Sequence, residues 1–193
     1  MVEAIHSGRQ TGADLAGLDA GLAVGLRTGG WVPRGRRIDG GTFPESDLAK
    51  YNLREHSSSA YPPRTEANVI DTDGTVVFGN PSSPGCSLTR RLCQKHKKPC
   101  LVMEDVSYSG AELRAWLINS RIRTLNVAGN RERTNPGIYK LTYDTLLETL
   151  GGELVSCVSC SMLFPLSDTS NYFGDGKRRC GRCTVGVALA GQA

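Results

Sequence analysis

The sequence predicts an α/β protein, an open parallel sheet flanked by helices, followed by a small C-terminal zinc ribbon. Three observations predict it. Short apolar runs alternate with helix-spaced leucines through residues 1–150, glycine-rich turns follow three of those runs, and two C-x-x-C pairs stand beyond residue 150. A chain of 193 residues has room for one ordinary domain and a small second one, since single domains cluster at roughly 100–150 residues.

Taken in order, Ala4-Ile5 reads as the first strand, and Leu15, Leu18, Leu22 and Leu26 follow at helical spacing. Gly30-Trp31-Val32 reads as the next strand. Residues 33–63, with Pro33, Pro44, Pro62, Pro63, Gly35, Gly40, Gly41 and a serine run, read as a long loop that carries Arg34, Arg36 and Arg37 beside Asp39. A candidate helix then holds Glu66. Thr75–Phe78 is a strand, Leu88 and Leu92 mark a helix, Cys100–Met103 a strand, Leu113, Trp116 and Leu117 a helix, and Thr124–Ala128 a strand. The last helix carries Ile138, Leu141, Leu146, Leu147 and Leu150 and stops at Gly151-Gly152, a C-cap signal that divides the chain into domains 1–150 and 151–193. Strands alternating with helices make βαβ units, whose parallel sheet binds ligands beyond the carboxyl ends of its strands.

Composition narrows the class. Hydrophobic residues make up 39%, charged residues 22%, and the formal charge is +4, a soluble globular balance. No run approaches the ~20 apolar residues of a bilayer span, and Met1–His6 reads as a strand rather than a signal peptide. A cytoplasmic protein with no membrane partner is expected. Seven cysteines is an odd number, unlike a secreted disulfide framework. Cys157, Cys160, Cys180 and Cys183 follow C-x2-C-x19-C-x2-C, the spacing of a structural zinc site that staples a segment too small for its own core. Lys177, Arg178, Arg179 and Arg182 flank the second pair, and Phe164, Tyr172 and Phe173 are the tail's aromatic residues, a thin footprint for nucleic acid.

The chemistry concentrates in three turns. Ser7-Gly8-Arg9-Gln10-Thr11-Gly12-Ala13-Asp14 leads from a strand into a helix, as do Asn80–Thr89, containing Gly85, Ser87 and Thr89, and Ala128-Gly129-Asn130-Arg131-Glu132. Such turns aim backbone N–H groups and the positive end of a helix dipole at a bound anion. The first is no Walker A loop, lacking Gly-Lys-Ser/Thr. Thr11, Ser87 and Thr89 offer hydroxyl donors, Arg64 and Arg131 offer neutralising charge, and Asp73 offers an acceptor for a ribose or base edge. Arg9 either pairs with phosphate or faces solvent. Ser7 and Asp14 either belong to the site or terminate the strand and cap the helix. Cys93 and Cys100 read as small buried hydrophobes; Cys86, beside a helix start, is a candidate reactive thiol.

Gly8–Asp14, Gly29-Gly30-Trp31-Val32-Pro33-Arg34-Gly35-Arg36, Arg64–Val69 with Asp71–Thr75, and Asn126–Gly129 with Pro136-Gly137-Ile138-Tyr139 resemble the successive motifs of the molybdenum-carrier proteins. That family lies within the Rossmann-like group of lysine-decarboxylase-like phosphoribohydrolases and nucleotide-sensing domains. The resemblance covers residues 1–150 and implies a Rossmann-like fold, a nucleotide-like or molybdenum-cofactor ligand, and a homo-oligomer. Departures are Arg9 where the family has glycine, and Gly85-Cys86-Ser87 where it has Gly-Gly-Thr. The relatives' hydrolytic glutamate is also absent, because Arg90-Arg91 follows.

Three functions follow: a binding protein for a phosphorylated small molecule; a nucleotide hydrolase or transferase using Glu66 or Asp14 as acid or base; and an interaction module whose zinc ribbon touches nucleic acid or protein.

Overall fold

The computed structural model describes residues 2–104, 110–151, 154–156 and 163–165. Its elements in chain order are β1 (Ala4–His6), α1 (Ala13–Ala23), β2 (Arg27–Val32), β3 (Arg37–Ile38), β4 (Gly41–Thr42), α2 (Ser46–Lys50), β5 (Leu53–Glu55) and α3 (Tyr61–Ile70). There follow β6 (Gly74–Phe78), α4 (Pro84–Lys95), β7 (Cys100–Met103), α5 (Gly110–Asn119), β8 (Thr124–Gly129), α6 (Ile138–Leu150), β9 (Leu154–Ser156) and β10 (Leu163–Pro165).

Six strands form one sheet in the order β5-β2-β1-β8-β6-β7, and every neighbouring pair is parallel. This is the predicted Rossmann-like α/β fold. β8, last of the six in sequence, lies between β1 and β6. Read from β8 as the first strand, the order becomes 4-3-2-1-5-6, a sheet that winds outward one way and then the other. The reversal falls between β8 and β6, and such switch points are where open α/β sheets bind ligands. Helices α1, α5 and α6 pack together, and α3 packs on α4.

β6 is buried at all five positions, as a strand covered on both faces requires. Ile5, Val76, Phe78, Leu125 and Val127 join Ala13, Ala16, Ala20, Leu113, Leu117, Ile138, Leu146 and Leu147 in one core cluster, each large side chain contributing about 1.5–3 kcal/mol. The leucine spacing that predicts α1 finds part of its buried face, Leu18 being fully buried with Leu15 packed beside it. Leu22 is 40% exposed, Leu26 lies beyond the helix end, and α1 also packs through Ala13, Ala16, Gly17, Ala20 and Gly21. A Cβ at Gly17 would stand 2.6 Å from that of Val127, so glycine lets the helix axis approach β8.

The expected long loop over 33–63 contains regular structure: the β3–β4 hairpin, α2, and β5 paired to β2 at the sheet edge. β5 gives little sequence signal because only Leu53 of its three residues is buried. Leu18, Val32, Phe43, Tyr51 and Leu53 form a second cluster that holds this segment down.

β9 and β10 form an antiparallel pair, and β10 runs close to α6. The four tail cysteines, Cys157, Cys160, Cys180 and Cys183, lie outside the described residues. Among the described residues no helix is long and apolar enough to cross a membrane, and no group of His, Cys, Asp or Glu is placed to hold a metal ion.

Candidate functional site

The turns after β1, β6 and β8 converge because Asn130 ties them together. Its backbone N–H donates to the Phe78 carbonyl at 3.0 Å and its carbonyl accepts from Ala13 N–H at 3.1 Å. Its side-chain oxygen accepts from Asn80 N–H at 2.7 Å, and its Nδ2 donates to Ser83 Oγ at 2.9 Å. Two glycines permit this approach. A Cβ at Gly12 (φ +80°) would lie 2.5 Å from the Asn130 carbonyl oxygen, and one at Gly79 (φ +94°) would lie 2.3 Å from Asn130 Oδ1.

Beyond these turns opens a cavity of about 330 Å³, walled by the starts of α3 and α4 and by the carboxyl end of β8. That volume lies at the lower end of the range of small-molecule sites, roughly 300–1,000 Å³. Gly85 and Cys86, in the first turn of α4, line it; their amides have no intrahelical acceptor, which makes this wall an anion acceptor.

Arg64 is the central cation. It is 9% exposed, its guanidinium faces the Tyr61 ring at 5.6 Å, and its Nη1 stands 3.4 Å from Asp14 Oδ2. The guanidinium lies directly over Gly8, where an added Cβ would fall 1.2 Å from Nη1. Its Nε has no partner among the described residues, and neither has the buried Nε2 of Gln10. Arg131 also faces Tyr61, at 5.6 Å, and reaches Asp39 Oδ1 at 3.4 Å. Asp39 in turn donates its N–H to Gln10 Oε1 at 3.0 Å and binds Arg133 at 2.7 Å, which holds its carboxyl below the usual range. Asp14 is 5% exposed. Burial pushes its carboxyl above the usual range, and Arg64 partly counters that push.

Of the residues singled out from the sequence, Gly8, Gln10, Asp14, Arg64, Gly85, Cys86, Thr89, Gly129 and Arg131 line the cavity, with burial pushing the Cys86 thiol up. The others are elsewhere. Arg9 neither lines the cavity nor faces solvent: it is 8% exposed, its Nε donates to Asp47 at 2.9 Å, and it stacks on Phe43 at 5.0 Å. Asp73 sits at the opposite, amino end of the sheet, accepting from the N–H groups of Arg123 at 2.9 Å and Thr124 at 2.7 Å. Glu66 binds Lys95 at 2.6 Å and His96 at 2.7 Å outside the cavity wall. Ser87 lines a different groove with Arg90 and Arg91. The Thr89 hydroxyl donates to the Gly85 carbonyl at 3.0 Å and is spent as a donor. Ser7 is fully buried at the end of β1, and Thr11 and Gly12 shape the turn beside the cavity rather than line it.

Sequence reasoning did not assign Tyr61, Asn68 or Asn126 to the site, yet all three line the cavity. Asn68 pairs with both sides of Trp31, accepting from its N–H at 2.7 Å and donating to its carbonyl at 3.0 Å. Only Tyr61 left a signal, an aromatic residue ahead of two prolines at a helix start.

The model of the circularly permutated YpsA SLOG family matches residues 5–150, and the place of β8 in the sheet agrees with that description. The crystal structure of a "Putative molybdenum carrier protein" from Syntrophus aciditrophicus is similar, with 38% identity and a TM-score of 0.70 over 78% of this chain and 96% of that one. No curated protein matches. A family match running from β1 through the last helix of the sheet, on a fold with the permuted strand order, shows that the chain belongs to the circularly permutated YpsA SLOG family.

Proposed function

We propose that residues 1–150 form a binding domain for a phosphate-bearing ligand of nucleotide or molybdopterin type, and that residues 151–193 form a separate zinc ribbon. One observation carries the ligand reading. At the switch point of the sheet a single cavity gathers Arg64, Arg131 and the first-turn amides of α4, with both guanidiniums held over the Tyr61 ring, a cluster of anion donors. The likeness to a protein described as a molybdenum carrier favours the pterin arm, and the glycine-rich turns suit either.

Support for the zinc reading comes from the cysteine spacing and from the β9–β10 pairing, because Cys157 and Cys160 lie in the sequence between those strands. The domain division is supported by the end of α6 at Leu150 and of the family match at residue 150. We propose a homo-oligomer as the assembly.

Masses measured under native and then denaturing conditions test all of this. The expected result is an oligomer that loses a zinc-sized increment and a phosphorylated small molecule on denaturation, with zinc absent from Cys157→Ser and Cys180→Ser. No retained ligand, together with no saturable calorimetric binding of nucleoside monophosphates, pterins or phosphate, would refute the ligand reading.

A hydrolase is the second reading, favoured by one observation: the buried Asp14 carboxyl in the cavity wall, which burial raises above the usual carboxylate range. Release of base from nucleoside monophosphates, lost in Asp14→Asn, would establish it. Glu66 is held outside the cavity by Lys95 and His96.

A further inference from the structure

The sheet ends in two edges of different character. β5 at one edge carries the charged Arg54 and Glu55, residues of the kind that keep an edge from pairing further. β7 at the other edge, Cys100–Met103, holds no charge, glycine or proline, and among the described residues no strand pairs with its outer side. The carbonyls of Pro99 and Met103 turn inward and accept from the N–H groups of Thr75 and Gly79. By the alternation of a strand, the backbone groups of Cys100 and Val102 turn outward. The side chains of these two residues line a groove of about 430 Å³ together with Arg90, Arg91 and Lys98. Leu101 and Met103 pack to the opposite face, in the core shared with α5 and α6. The groove is cationic throughout. Residues 84–103 contain no acidic side chain, Arg90 and Arg91 are exposed, and among the described residues neither has an ion pair. Glu66, which reaches α4 from α3, is taken by Lys95 and His96. Lys98 donates to the Thr72 carbonyl at 2.8 Å and keeps its charge.

We propose that this edge is a docking site for an extended acidic peptide, which adds a strand beside β7. Main-chain hydrogen bonds to the outward groups of Cys100 and Val102 hold the peptide, and its side chains alternate between the two faces of the sheet. Those on the α4 face meet Arg90, Arg91 and Lys98 and are carboxylates. Those on the other face continue the surface of Leu101 and are apolar. A second copy of this chain is a poorer occupant, because pairing β7 with its counterpart sets both α4 helices on one face, cation against cation. Nucleic acid is also a poorer one, since no aromatic side chain among the described residues lines the groove for a base to stack on. The groove shares no lining residue with the ligand cavity, so the site does not depend on what that cavity holds.

The test titrates the full chain into a fluorescent peptide of about eight residues alternating glutamate and valine, long enough to span a strand, and reads anisotropy. Saturable binding is expected, weakening as salt is raised. It should be at least about tenfold weaker for the same peptide with lysine in place of glutamate. Arg90→Glu combined with Arg91→Glu, both on the surface, should exchange the two preferences. Methylating the peptide's alternate backbone nitrogens should abolish binding, because those N–H groups face the outward carbonyls of β7. Val102→Pro should do the same from the protein side, since its N–H turns away from β6. No saturable binding, equal binding of the glutamate and lysine peptides, or undiminished binding of the methylated peptide would overturn the proposal without reliance on any variant. An oligomer that falls apart in Val102→Pro would overturn it in favour of edge pairing between copies.

Discussion

Gly8→Ala is the substitution that most directly probes how the cavity is built. Its Cβ would fall 1.2 Å from Arg64 Nη1 and 2.3 Å from Cζ, so the guanidinium must leave the seat between the Gly8 backbone and Tyr61. The obstacle is the far end of a flexible side chain, and the variant is expected to fold. Its cost arises at Asp14, 5% exposed, which loses the cation 3.4 Å away. Removing one partner of a buried pair costs about 3–5 kcal/mol. Protonation limits the loss at pH 7 to about 4 kcal/mol, at 1.36 kcal/mol per unit above an ordinary carboxylate pKa of about 3.9. Burial already raises Asp14 in the unaltered protein, so part of this destabilisation is present there, and the expected difference is about 1–3 kcal/mol.

The sign of the pH dependence follows. Between the ordinary carboxylate pKa and the raised one, the folded variant holds a proton that the unfolded chain has released, so its stability falls as pH rises. The protonation limit shrinks to about 1.5 kcal/mol at pH 5, and the gap between variant and parent should narrow accordingly. Urea unfolding at pH 5, 6 and 7 reads this directly. Arg64→Ala completes the cycle: in that background Gly8→Ala should cost little. Additive losses, or a gap that is constant across pH, would refute the idea that glycine at position 8 exists to seat Arg64.

Asn130→Ala removes the acceptor for Asn80 N–H and the donor to Ser83; it should lower stability by about 2–3 kcal/mol and weaken ligand retention, and a urea midpoint unchanged from the parent would show that the three turns hold together without it. Asp73→Ala should lower the thermal midpoint while leaving phosphate or nucleotide binding as it was, since Asp73 serves backbone N–H groups at the far end of the sheet; lost binding by calorimetry would return it to the site.

Strand and helix order, and the turns that converge on the site, are legible along the chain because hydrophobic period and glycine-rich strand ends are local signals. β6 can be read from its own apolar run, being buried throughout, whereas β5 cannot, because an edge strand with one buried residue in three resembles a loop. Which side chains face the cavity is not local. Arg9 and Arg64 are equally plausible anion ligands in the sequence, but only the fold brings Asp47 to Arg9 and leaves Arg64 over Gly8 and Tyr61. Asp73 lies one residue before β6 and therefore at the wrong end of it, a fact fixed by strand direction. Cys93 and Cys100 join one apolar cluster only because β7 packs beside α4. The sequence by itself determined the α/β class, the glycine-rich turns at the strand ends and the four-cysteine spacing of the tail, since each is a pattern among near neighbours. The tertiary structure alone decided where β8 enters the sheet and which cations the cavity keeps, because each depends on contacts between residues far apart in the chain or on different elements.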